Sequence, residues 1–123
     1  MDEYDADRAP DPEAWLAMDE DERMFLVQEY HEGLRFDAPS MMGHAIAHIV
    51  VENQLASGEE DVVRALERLT KGGLDRHEAV HAIGAMFMEH AHELIHEGPG
   101  DVEPNEAYFA KLRELTVDRW RTR

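Results

Sequence analysis

Apolar positions recur along this chain at three- and four-residue intervals and do not alternate over any stretch, so the pattern predicts helices and no strands. Asp11-Pro12 reads as an N-cap followed by proline at the first helical position, with Trp15, Leu16 and Met18 behind it. The polar run Asp19 to Arg23 divides that segment from a second helix carrying Met24, Phe25, Leu26 and Tyr30. Pro39-Ser40 opens the next, which runs through Ile46, Ile49, Val50, Val51 and Leu55 to Ser57-Gly58. It is apolar nearly all round, the signature of a helix in the middle of a bundle. Glu59 to Thr70 sets Val62, Val63, Leu66 and Leu69 on one face and stops at Lys71-Gly72-Gly73. Asp75, with Glu78 three residues on, caps a long helix that reaches His96 before Gly98-Pro99-Gly100. Asn105 to Trp120 forms the last. These segments predict an all-α protein, a compact antiparallel bundle of five or six helices.

Residues 1–12 are rich in Asp, Glu and Pro and poor in apolar groups, which predicts a loose acidic arm ahead of a single helical domain over residues 13–123. The chain has 123 residues, 28 Asp and Glu against 12 Lys and Arg, and a formal charge of −16. That charge argues against general nucleic-acid binding or attraction to an anionic membrane, and it suits a basic protein partner. The Arg-rich end Arg119 to Arg123 reads as a helix terminus complementing its dipole. An acidic start and the lack of a long apolar run predict a cytoplasmic protein with no membrane segment. There is no cysteine, so a metal could be held only by histidine and carboxylate.

Eight histidines are present, and seven fall between residues 44 and 96. His44 and His48, His77 and His81, and His92 and His96 are each four apart. On an α-helix four residues turn about 400° and rise about 6 Å, which stacks each pair on one face within reach of one ion. Helical phasing sets His44 and His48 beside Val51 and Leu55 on the apolar helix, and His77 and His81 at the inner edge of the long one. His92 and His96 fall toward solvent. Four inward imidazoles require four donors and four acceptors to be matched in a small volume, which a divalent cation accomplishes directly. The candidate metal ligands are therefore His44, His48, His77 and His81, with Glu52 as a fifth ligand or as the acceptor that orients one of them. Gln54, Arg76 and Glu78 are candidates for supporting roles. Neutral imidazoles with one carboxylate suit zinc or iron(II), and admit nickel or manganese.

Two known patterns are met in part. His77-Glu78-Ala79-Val80-His81 matches the H-E-x-x-H of zinc peptidases, and Gly84 stands where the longer form has its glycine. Phe87 occupies the place of that form's third histidine. The spacings His48/Glu52, His77/His81 and His96/Asp101 follow the order of hemerythrin's ligands, but the last pair spans Gly98-Pro99-Gly100, which breaks the helix it needs. No glycine-rich phosphate loop is present, and Ser40 and Ser57 stand at helix boundaries where capping accounts for them.

Trp15-Leu16, Asp19-Glu20, Glu22-Arg23, His44-x3-His48, Glu52-Asn53-Gln54-Leu55-Ala56, Leu66-x-Arg68-Leu69 and Gly73 to Gly84 together resemble the small bacterial proteins grouped as domain of unknown function 1841 and its relatives. The resemblance covers roughly residues 12 to 96. It implies an all-helical fold with two shared H-x3-H pairs and carries no activity. In typical members of that group the Glu adjoins the Gln, whereas here Asn53 intervenes. The expectation is a helical bundle with a divalent-metal site between two helices, serving a metal-dependent hydrolase or a redox protein. The competing expectation is a metal-free, acidic protein-interaction module whose histidines form a polar core network.

Overall fold

The structure, a computed structural model, describes residues 3–33, 41–98, 100 and 103–123. The proposed helix start at Pro39-Ser40 and the residue Asp101 lie outside them. The described residues form seven helices: α1 (Pro12–Ala17), α2 (Glu20–Gly33), α3 (Met41–Ala56), α4 (Glu60–Lys71), α5 (Arg76–Glu97), α6 (Pro104–Glu114) and α7 (Val117–Arg121). None of these is long and apolar enough to cross a membrane.

Most boundaries follow the local chemistry that predicts them. Asp11 accepts a hydrogen bond from the Ala14 backbone N–H at 3.0 Å, with Pro12 in the first turn. Asp75 does the same for Glu78 N–H at 2.8 Å and starts α5, which ends at Gly98 with φ of 80°. Asp19 Oδ1 accepts from Glu22 N–H at 2.8 Å, so the polar run between Met18 and Arg23 starts a new helix. Arg23 then seals the break. Its guanidinium donates to the carbonyls of Trp15 and Leu16, each at 3.0 Å, and of Met18 at 2.8 Å, groups left open where α1 stops.

The last predicted helix is two. Leu115 is extended, and Thr116 Oγ1 accepts from Arg119 N–H at 3.2 Å, an N-cap that restarts the chain as α7. Arg68 on α4 donates to the carbonyls of Leu115 at 2.9 Å and Leu112 at 2.6 Å, so the open end of α6 is satisfied from a neighbouring helix. Periodicity alone cannot register such a break, because the apolar spacing continues through it.

Helix α3 sits between two cores, as its apolar character requires. One face contributes Val51 to a cluster with Val62 and Leu69 of α4, Ile83 of α5 and Leu112 of α6. Another contributes Ala45 and Ile49 to a cluster with Tyr4, Trp15, Leu26 and Val27. Ile46, on a third side, is 39 % exposed. Residues 3–10, whose composition predicts a loose arm, lie against this second cluster: Tyr4 and Ala6 are buried. The buried Tyr4 ring docks the stretch together with backbone and side-chain hydrogen bonds at Ala6 and Asp7.

Helices α3 and α5 run antiparallel, since His44 meets His81 while His48 meets His77. They pack closely at Gly84, where an added Cβ would stand 3.2 Å from Ala47 Cβ. This close approach brings the two histidine pairs within reach of each other. Gly84→Val should overpack that contact and destabilise the fold by about 1–3 kcal/mol, read as a lower urea midpoint. An unchanged midpoint would show that α3 and α5 are not held together there.

Candidate metal centre

The site is a product of helix geometry. His44 and His48 on α3, and His77 and His81 on α5, each stack one turn apart, and antiparallel packing sets the pairs face to face. Each of the four offers one ring nitrogen such that all the chosen atoms lie within 4.8 Å of one another. His77 Nε2 and His81 Nε2 are 3.0 Å apart. Ring centroids are 4.2 Å apart for His44 and His81 and 4.7 Å apart for His48 and His81. His48 is buried and the other three are half-buried. Among the described residues no other group of histidines and carboxylates gathers in this way.

Glu52 stands one turn beyond His48 on α3, outside that group of four. Its carboxylate is 1 % exposed and engaged on both oxygens. Arg76 Nη1 donates to Oε2 and Nη2 to Oε1, each at 2.8 Å, a two-pronged pair between α3 and α5. Tyr4 donates its hydroxyl proton to Oε2 at 2.6 Å. These hydrogen bonds come from Arg76 and Tyr4, so the tie of Glu52 to a histidine runs through Tyr4.

The same tyrosine reaches a histidine. Tyr4 Oη lies 3.1 Å from His48 Nδ1. Because the single hydroxyl proton is given to Glu52, the tyrosine oxygen accepts from His48, which puts the ring proton on Nδ1 and the lone pair on Nε2. A chain thus runs from Arg76 through Glu52 and Tyr4 to His48. Burial, then the adjoining Glu52 charge, pushes the Tyr4 hydroxyl well above its ordinary range, so it keeps the proton on which this chain depends. Tyr30 Oη lies 3.2 Å from His77 Nδ1 and gives that ring a similar partner. Arg76 Nη1 also donates to the Ala6 carbonyl at 3.0 Å, tying the N-terminal arm to α5.

Neither tyrosine is a site residue in the sequence reading. Tyr30 falls on the apolar stripe of α2, and Tyr4 lies in a segment whose composition predicts no structure. Of the proposed supporting residues, Arg76 reaches the site through Glu52, and Glu78 borders two of its histidines. Gln54 accepts from the Tyr108 hydroxyl at 2.7 Å. Glu78 is exposed beside a cleft of about 210 Å³ that it shares with Asp75, His77 and His81. Asn53, which separates Glu52 from Gln54, accepts from Trp15 Nε1 at 2.8 Å and from Arg23 at 3.0 Å.

His92 and His96 are exposed, as helical phasing predicts. His96 is 15 residues beyond His81 on the same helix, about 22 Å along its axis, so the hemerythrin-like set is not brought together. The described residues contain no strand, and so offer no edge on which a peptidase could align an extended substrate. His90, unremarked in the sequence, is buried and stacks on Tyr108 with centroids 6.0 Å apart. Comparison with protein-family models, with curated proteins and with solved structures finds no match for this chain.

Glu52→Gln would leave the Arg76 guanidinium, 13 % exposed, without its counter-charge. We expect a loss of about 3–5 kcal/mol in urea unfolding. Tyr4→Phe, which removes one hydroxyl, should cost about 1 kcal/mol. Equal and negligible effects would show that the chain of contacts does not hold the site.

Proposed function

We propose that this protein binds one divalent metal ion, zinc or iron(II), through His44, His48, His77 and His81. The observation that carries this reading is the convergence of four imidazole nitrogens from two helices within 4.8 Å. Neutral imidazole is a donor both metals accept. A tetrahedral zinc site needs nitrogens about 3.3 Å apart; His77 Nε2 and His81 Nε2 are 3.0 Å apart, and the full set, spread over as much as 4.8 Å, would have to draw together on the ion. The Tyr4–His48 contact supports the same conclusion, since metal-binding histidines characteristically give their second ring N–H to an acceptor that fixes the tautomer. A zinc closed by all four histidines would be structural; with a further position open, bound zinc would supply an activated water and bound iron a redox couple. The protein's own part is to hold the imidazoles and fix their orientation from behind.

A second reading has one observation in its favour. The contact between His77 Nε2 and His81 Nε2 is also a hydrogen-bond distance that requires no ion, as a metal-free polar core in an acidic interaction module would have. The two readings differ in a measurable way. Protein purified without chelator should carry close to one zinc or iron per chain, and a His48→Ala/His81→Ala variant should carry none. At free metal about a thousandfold above Kd the wild type should gain about 4 kcal/mol of stability, lost on adding a chelator. A metal-free wild type whose stability ignores both metal and chelator would overturn the metal reading in favour of the network.

A further inference from the structure

Beside the four histidines lies a cavity of about 470 Å³, within the range of roughly 300–1,000 Å³ that small-molecule sites occupy. His44, His48 and His81 form part of its wall. The rest is apolar: small residues of α3 and α5 leave the space, and Ala85, Met88 and Trp120 border it. Met88 is 42 % exposed and Trp120 half-buried, which puts both toward the outside. Among the described residues that line it there is no Lys, Arg, Asp or Glu. The imidazoles are thus the polar part of an otherwise apolar chamber.

We propose that this cavity is a ligand site for a compact, uncharged, apolar molecule bearing a single lone-pair donor, with the donor added as a fifth ligand to a metal held by the four histidines and the body packed between Ala85, Met88 and Trp120. The proposal rests on the metal reading above. Its chemistry follows from what the wall offers. An anionic ligand would find only the metal ion to pair with, no cationic side chain being among the described lining residues, and it would approach a protein of net charge −16. A cationic ligand would be repelled by the bound metal ion. An apolar body gains by leaving water for this wall, and a thioether and an indole are surfaces that suit an aromatic or branched aliphatic group.

The test uses the full chain loaded with cobalt(II), whose visible absorption reports both occupancy and any added ligand, titrated with imidazole and with phenylimidazole. The two share a donor and differ in the apolar body. Phenylimidazole should bind at least roughly tenfold more tightly than imidazole, the return expected from burying a phenyl ring. Ala85→Leu should bring the two affinities close together while cobalt stoichiometry stays at wild-type level, and Trp120→Ala, which removes the wall instead of filling the space, should also shrink the difference. Equal affinities in the wild type, or a preference that survives both substitutions, would overturn the ligand site and leave the metal reading standing. A wild-type protein that takes up no cobalt would overturn the two together.

Discussion

A carboxylate withdrawn from water at the junction of two helices must have its oxygens engaged, and the way Glu52 meets that demand organises much of this protein. The Arg76 guanidinium grips it from α5, and Tyr4 reaches it from the N-terminal arm. Three segments far apart in sequence are joined at one side chain. Because Tyr4 gives its only proton to Glu52, it must accept from His48, so one buried acid sets the tautomer of the most buried histidine in the cluster. Buried ion pairs often add little net stability, since desolvating both partners offsets their attraction. What this pair provides is position: it fixes the register of α3 against α5 one turn from the place where the histidines converge.

Close packing at Gly84 and Ala47 acts from the other side of that site. Between the two contacts the helices have little freedom to slide, and a shift of one residue would turn the members of a histidine pair away from the opposite helix. The geometry of the four imidazoles follows from two local features of the α3–α5 interface. The arm belongs to the same system. Its one large aromatic group docks in a cluster with Trp15, Val27 and Ile49, and Arg76 holds the Ala6 carbonyl, so an acidic segment that would otherwise be solvated forms one wall of the site.

Properties of the site that depend on helical phase are legible in the sequence. His44 and His48 share the apolar helix with Val51, His77 and His81 fall at the inner edge of α5, and His92 and His96 turn to solvent, because 3.6 residues per turn fixes a face once a helix is granted. Helix starts at Asp11 and Asp75 are likewise local, each written in a side chain that accepts from the backbone three residues on. What is not legible is non-local. The interruption at Leu115 and Thr116 is supported by Arg68 on another helix, and apolar spacing runs through it unchanged. The role of Glu52 depends on Arg76, 24 residues away, and on Tyr4, 48 residues away. Spacing along α3 presents Glu52 equally well as a ligand or as an acceptor, and gives no sign of the Arg76 and Tyr4 partners it has. Tyr4 is missed for a related reason: composition averages over a segment, and one buried ring outweighs the average.

The central claim is that four imidazoles share one ion. X-ray absorption at the zinc edge of the zinc-loaded full chain tests it most directly, because imidazole rings leave a characteristic outer-shell scattering that counts them. Four histidine nitrogens at about 2.0 Å from the zinc are expected. A shell dominated by oxygen, or one with two imidazoles or fewer, would mean that the metal sits elsewhere, on surface carboxylates or on the exposed pair His92 and His96, and that the buried histidines do not share an ion.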